Sequence, residues 1–311
     1  MHQPNTAVLG RFAPSPSGRM HLGNVFSALM AWLGAKSRGG EILLRIEDLD
    51  TQRCTEQFAE LLRRDLEWLG LAWDFEVPPQ RTRSQAYQAA LDDLNARGLV
   101  FPCWCTRGLL HAASAPHASD GHWIYPGTCR HLSPAERAEK TASPSWRLIV
   151  PEEVISFTDG VYGPQAENLA RECGDFVIKK ADGTFAYQLA VVLDDIAAGV
   201  TQVVRGRDLL SSTPRQLYLY RLLGGTPPEY YHVPMLVSSD GRRLSKRDGD
   251  LDLGILQTIL TPQQLLGRLA WLAGLLDRPE AVSPPELAAD FSWDRLGRED
   301  IAFDPALFLR P

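Results

Sequence analysis

Residues 11–24 read RFAPSPSGRMHLGN. The stretch joins a short apolar run, Val8 to Phe12, to a helical pattern that begins at Leu22 and reaches Lys36. Pro14, Pro16 and Gly18 break the run into a tight connection. Strand, tight loop and helix form the first half of a βαβ unit. Such a loop offers an anion its backbone N–H groups and, at His21, an imidazole beside the helix start. Far downstream, residues 242–247 read RRLSKR, so that Leu244-Ser245-Lys246 follow an Asp240-Gly241 turn. An imidazole and an ammonium converging on a triphosphate such as ATP would stabilise charge developing on its phosphoryl oxygens.

Outward from this stretch the rhythm repeats. Gly39-Gly40 close the first helix, and Glu41 to Ile46 (EILLRI) predict a buried strand. Thr55 is an N-cap for a helix reaching Leu69, with Phe58, Leu61, Leu62 and Leu69 on its apolar face. Ser84 opens another helix that ends at Gly98. This alternation predicts an α/β fold with a doubly wound, parallel, Rossmann-type sheet. Residues 102–150 interrupt it with three clustered cysteines and the aperiodic stretch ASAPHASDGH, as an inserted subdomain would. Beyond it, Asp175–Lys179 and Thr184–Leu193 predict a hairpin around Asp182-Gly183, and Val200–Val204 a strand. Thr213-Pro214 start a helix ending before Gly224. Thr261-Pro262 start a last helix, with Leu265, Leu266, Leu269 and Leu276 placed for burial. The Pro-rich segment after Asp277 is expected to be irregular, with Trp293 and Phe303 as docking anchors. The expected division is 1–101 and 151–250 for two halves of one catalytic domain, 102–150 for the insertion, and 251–311 for a short C-terminal region.

The 311 residues carry a net charge of −6, with the acidic excess in the second half, which argues against an unspecific nucleic-acid coating. Only five of the 32 basic residues are lysines, so a lysine inside Leu-Ser-Lys is a less casual occurrence than in a lysine-rich chain. Five cysteines without a secretion signal argue against a disulfide framework, and no apolar run approaches a membrane span. The expected location is cytoplasmic.

Residues 11–24, RIEDLD at 45–50, VVRGRDLLSSTPRQ at 203–216 and RRLSKR at 242–247 occur in the order found in class I glutamyl-tRNA synthetases. The chain resembles their catalytic domain from about Val8 to Gly274. The resemblance implies activation of L-glutamate by ATP with Mg2+. His21 and Lys246 would stabilise the phosphates, and Gly23, Asn24 and Ser245 would join them around ATP. Asn24 stands where other class I enzymes often carry histidine. The positions matching the glutamate site are Arg11, Phe12, Ala13, Pro14, Ser15, Glu47, Tyr187 and Arg205. Their chemistry is apt: arginines bind carboxylates bidentately, and Glu47 can accept from an ammonium. Asp194-Asp195 suit a structural or capping role better than a metal. Arg207 and Asp208 suit loop ordering.

Cys103, Cys105 and Cys129 supply three of the four ligands of a tetrahedral zinc. Chemistry alone leaves the fourth open among His111, His117, His122, His131 and Tyr125. The pattern Cys-x-Cys…Tyr-x3-Cys resembles the site of a short glutamyl synthetase-like family, which implies Tyr125 and one structural zinc. Only 65 residues follow Lys246, which leaves no length for an anticodon-binding domain. That shortness, with the insertion, resembles glutamyl-queuosine tRNA(Asp) synthetases. The resemblance implies that glutamyl-adenylate forms without tRNA and that glutamate passes to queuosine in the anticodon loop of tRNA(Asp), by a monomer. The alternatives are a minimal tRNA(Glu) 3′-charging enzyme, a nucleotidylyltransferase and a non-catalytic synthetase paralogue.

Overall fold

The computed structural model describes residues 7–106, 124–238 and 252–309. Ser245 and Lys246 lie outside the described residues, as do His111, His117 and His122. β1 (Leu9–Phe12) pairs in parallel with β2 (Glu41–Leu44), and β2 with β3 (Phe75–Glu76). The crossover between β1 and β2 is the helix Leu22–Lys36, at the predicted bounds. Thr55 caps the next helix, Glu56–Trp68, through a hydrogen bond from the Phe58 amide. Its deeply buried residues are Ala59, Leu62, Asp65 and Leu66, while Phe58 and Leu61 are only half-buried.

The polypeptide leaves this parallel arrangement at residue 100. β4 (Val100–Cys103), β5 (Ser145–Leu148) and β8 (Phe176–Lys179) form an antiparallel sheet. β6 (Val154–Asp159) and β7 (Gly163–Asn168) form a hairpin in which burial alternates along β6. The expectation of one doubly wound parallel sheet is therefore corrected to an α/β fold with mixed sheets. The tight turn from Asp159 to Gly163 can join only antiparallel neighbours, whereas β4, β5 and β8 pair antiparallel across long excursions of the chain.

The predicted hairpin around Asp182-Gly183 is corrected too. Its first arm is β8, but its return consists of a single bridge, Lys179 to Phe185, before a helix runs from Tyr187 to Ala198. Leu189, Ala190, Val191 and Val192 are all buried there, so the run of apolar residues is a helix packed on both sides. A short buried apolar run does not by its pattern distinguish strand from helix.

β9 (Gln202–Gly206) then returns beside β1. The Thr201 amide donates to the Leu9 carbonyl at 3.0 Å, and the Leu9 amide to Thr201 Oγ1 at 2.8 Å. β10 (Glu229–Val233) pairs in parallel with β9. The C-terminal ends of β1 and β9, Arg11-Phe12 and Arg205-Gly206, thus lie side by side where the chain order of the strands reverses, which is where open α/β sheets leave a crevice.

The helix Leu22–Lys36 is apolar nearly all round because it is covered twice. The strands cover one face; the C-terminal segment covers the other. A Cβ on Gly34 would lie 2.6 Å from the Trp293 ring, so glycine there admits the tail. Trp293 stacks on Tyr231 with ring centroids 4.4 Å apart, and Phe303 is buried against Phe308. Both expected anchors dock. The segment is also less irregular than expected: it holds a helix, Pro284–Ala289, and a strand, β12 (Ile301–Ala302), paired with β11 (Leu236–Val237). No helix among the described residues is long and apolar enough to cross a membrane.

Candidate active site

A cavity of about 510 Å3 opens at the ends of β1 and β9. Arg11, Phe12, Ala13, Pro14, Ser15, His21, Gly23 and Asn24 line it from one side, Tyr187 and Arg205 from the other. Glu47 is not in the lining. It is buried beside it, with Oε1 accepting from Arg45 Nη2 at 2.9 Å.

His21 is the N-cap of its helix. Its extended backbone turns the ring inward, and Nδ1 accepts from the Gly23 amide at 3.1 Å. That role fixes the proton of a neutral ring on Nε2. Asn24 Oδ1 returns the bond by accepting from the His21 amide, completing a capping box. A Cβ at position 23 would come 3.0 Å from the His21 ring, so Gly23 is required by the histidine itself. Asp252 forms an antiparallel bridge with His21, and the Leu253 amide donates to the Met20 carbonyl at 2.9 Å. Lys246 precedes Asp252 by six positions in the sequence. Arg19 Nη2 ties the same two segments together, donating to Gln257 Oε1 at 2.6 Å and to buried Asp65 at 3.1 Å.

Arg11 is 6% exposed and paired with Asp195, which also accepts from Arg45 Nη1 at 2.6 Å. Asp195 is thus the structural anchor of two arginines. Its neighbour Asp194 accepts from Gln80, Arg83 and Tyr87. The preference for structural over metal roles agrees with these bonds. Arg11 Nη2 is buried and has no hydrogen-bond partner among the described residues. Burial pushes the Glu47 carboxyl up, against the pull of Arg45 and Arg11.

Arg205 is held differently. Nε donates to His232 Nε2 at 2.9 Å, Nη1 to Gln216 Oε1 at 2.8 Å, and Nη2 to Thr213 Oγ1 at 2.7 Å and to the Leu209 carbonyl at 3.3 Å. His232 and Gln216 escaped the sequence reading, and Thr213 was read only as a helix start. The strand that carries His232 is short, and its register against β9, which sets His232 opposite Arg205, is not written in the pattern. Arg207, as expected of a loop-ordering residue, forms an ion pair with Asp300 of the tail.

In the insertion, the sulfurs of Cys103, Cys105 and Cys129 lie within 4.8 Å of one another. Cys105 and Cys129 are 3.6 Å apart, close to the roughly 3.8 Å that a tetrahedron with 2.3 Å zinc–sulfur bonds requires. Tyr125 Oη lies 3.5 Å from Cys103 Sγ and accepts from the Cys129 amide at 2.7 Å. Arg147 donates to Cys103 Sγ at 3.3 Å and stacks over the Tyr125 ring. Burial pushes the Cys103 thiol up, but the bonds from Tyr125, the Cys105 amide and Arg147 prevail and leave it below its ordinary value. His131 is exposed. The donor set fits a structural zinc.

A family model of the catalytic domain of class I tRNA synthetases (E and Q) matches residues 7–266. A glutamyl-Q tRNA(Asp) synthetase of Symbiobacterium thermophilum is 48% identical, aligned over 94% of this chain and 95% of its own. Another of that name, from Geobacter sulfurreducens, is 51% identical over 80% of this chain and 79% of its own. Among solved structures, a glutamate tRNA ligase from Elizabethkingia meningosepticum in complex with its amino acid superposes with a TM-score of 0.82 at 27% identity. It covers 97% of this chain and 68% of that one.

Proposed function

The chain belongs to the class I tRNA synthetases of the glutamate and glutamine type, and on that premise we propose that it activates L-glutamate with ATP and passes the glutamyl group to queuosine in tRNA(Asp). The observation that carries this reading is end-to-end correspondence: a relative named for that reaction aligns over 94% of this chain and 95% of itself. A tRNA(Glu) 3′-charging enzyme is less well supported, since the glutamate tRNA ligase that superposes is 27% identical, against 48% for the relative named for the queuosine reaction.

Activation is attack of the glutamate α-carboxylate on the α-phosphorus of ATP, with pyrophosphate leaving. Two anions must meet, so positioning and charge neutralisation do the work. Arg11, with an unpartnered Nη2, and Arg205 are the cations for the amino acid. Phe12, Ala13, Pro14, Ser15 and Tyr187 shape and bond its site. Glu47, buried beside the cavity and outside its lining, is the carboxylate we assign to the α-ammonium, whose charge would draw it back down. His21 offers Nε2–H to phosphate oxygens beside a helix start, with Gly23 and Asn24 keeping the ring in place; Ser245 and Lys246 complete the ATP site. Mg2+ would be held by ATP oxygens. Cys103, Cys105, Cys129 and Tyr125 would hold one structural zinc. The enzyme acts in the cytoplasm as a monomer.

The test is exchange of pyrophosphate into ATP dependent on glutamate and independent of tRNA. Labelled glutamate should then pass to queuosine-containing tRNA(Asp) with a blocked 3′ end, and not to unmodified tRNA(Asp). Charging of tRNA(Glu) at its 3′ end would overturn the reading. For the metal, about one zinc per chain is expected on elemental analysis. Tyr125→Phe should weaken zinc about 10–100-fold in chelator competition, by analogy with loss of a supporting group. Undiminished affinity would remove Tyr125 from the ligand set.

A further inference from the structure

Behind Arg205 lies a chain of polar groups that no surface water reaches. Asp159 is 1% exposed, His232 0%, Thr213 0% and Gln216 1%. They come from three elements: the end of β6, β10, and the start and first turn of the helix Thr213–Leu223. Asp159 Oδ2 lies 2.6 Å from His232 Nδ1, and its carboxylate is held in turn by the amides of Val161, Tyr162 and His232.

The direction of every bond follows from the donors. A guanidinium only donates, so His232 Nε2 must accept from Arg205 Nε and carry no proton. The ring proton therefore sits on Nδ1, where Asp159 accepts it. Gln216 must present Oε1 to Arg205, so its Nε2 donates to Gln188 Oε1 at 2.8 Å. Gln188 then donates to Ser212 Oγ at 3.0 Å. Gln188 follows Tyr187, so the chain reaches the other residue on that wall of the cavity. Of the five guanidinium N–H groups, these bonds leave one on Nη1 without a partner among the described residues, and Arg205 lines the cavity.

We propose that the buried Asp159–His232 pair is a positioning device for Arg205, fixing the orientation of the guanidinium that meets the glutamate carboxylate. The pair touches no substrate. Asp159 selects the tautomer in which His232 accepts, and His232 then holds Nε without adding a negative charge that would compete with the ligand. The inference rests on the reading of Arg205 as a glutamate-binding residue.

Asp159→Asn is the sharpest test because it keeps the volume. The amide Oδ1 can still accept from the backbone, while its NH2 faces His232 Nδ1 and drives the ring proton to Nε2, against Arg205 Nε–H. Glutamate-dependent pyrophosphate exchange should show KM for glutamate raised about tenfold or more in Asp159→Asn and His232→Phe, with KM for ATP unchanged. His232→Gln, which restores an acceptor near Nε2, should recover most of the loss. Independently, 15N NMR of the unmodified protein should show His232 with its proton on Nδ1; a proton on Nε2 would overturn the proposal. A raised glutamate KM in Arg205→Gln, with unchanged values in folded Asp159→Asn and His232→Phe, would overturn the positioning role alone. An unchanged KM in Arg205→Gln would overturn the placement of Arg205 and the positioning role with it.

Discussion

The two arginines of the cavity are held by opposite means. Arg11 is neutralised: Asp195 pairs with it at 3.0 Å and with Arg45 at 2.6 Å, and Glu47 stands beyond Arg45. Arg205 has an imidazole, an amide oxygen, a hydroxyl and a carbonyl, none of them a formal anion. The nearest carboxylate along its chain is Asp159, one histidine away. Burying a cation without a counter-ion is costly unless hydrogen bonds satisfy it. The Arg205 wall meets that condition and leaves the charge to act on a ligand. The Arg11 wall trades part of that field for a network that holds β1, β2 and the helix Tyr187–Ala198 together. The difference separates a cation that binds from one that also builds.

Asp195→Asn should have the largest effect if the Arg11 wall is structural. It leaves Arg11 and Arg45 buried without their shared anion, and urea unfolding should report a loss of about 3–5 kcal/mol. A loss below about 1 kcal/mol would place the two walls on an equal footing. Next in size, Arg205→Gln should cost about 2–4 kcal/mol in kcat/KM for glutamate, with little change in unfolding free energy. Arg11→Gln should cost less in glutamate use and more in stability. The reverse order would break the comparison.

Acid should expose the smallest difference. Burial, with Arg205 nearby, pushes His232 below its ordinary value against the pull of Asp159 and Asp208, while His232 and the backbone amides hold Asp159 low against its own burial. Both folded values are depressed, so the stability they confer is complete above the unfolded values and drains as pH falls. The His232 share should fade first, by about 1 kcal/mol over the unit below pH 6.5, and the Asp159 share below about pH 4. Thermal melts from pH 7.5 to 5.5 should show the decline, and His232→Gln should flatten it. A slope that survives that replacement would assign it elsewhere.

Local sequence settled much of the first wall. Pro14, Pro16 and Gly18 end the strand, and His21, Gly23 and Asn24 lie within one capping box, so their meeting needed no distant partner. The three cysteines were likewise legible from their clustering, whereas Tyr125 entered only through the family resemblance; the fold brings all four together. Helix starts followed where a cap was written, as at Thr55 and Thr261, but the second helix ends at Leu272 and leaves Leu276, expected on its buried face, beyond its end and half-buried. The return arm after Gly183 was misread because four consecutive buried residues carry no period.

What tertiary structure alone decided is which charges share a partner. Asp195 meets Arg11 across 184 positions and Arg45 across 150, and Asp159 meets His232 across 73. No pattern in the sequence marks those distances, because a buried ion pair is selected by the register and packing of elements, not by spacing along the chain. Sequence named Arg11 and Arg205 as equivalent cations. Only the fold gave one of them an anion and the other a neutral cradle, since the end of β1 packs against an acidic helix face and the end of β9 against β10 and a helix start that offer acceptors without charge.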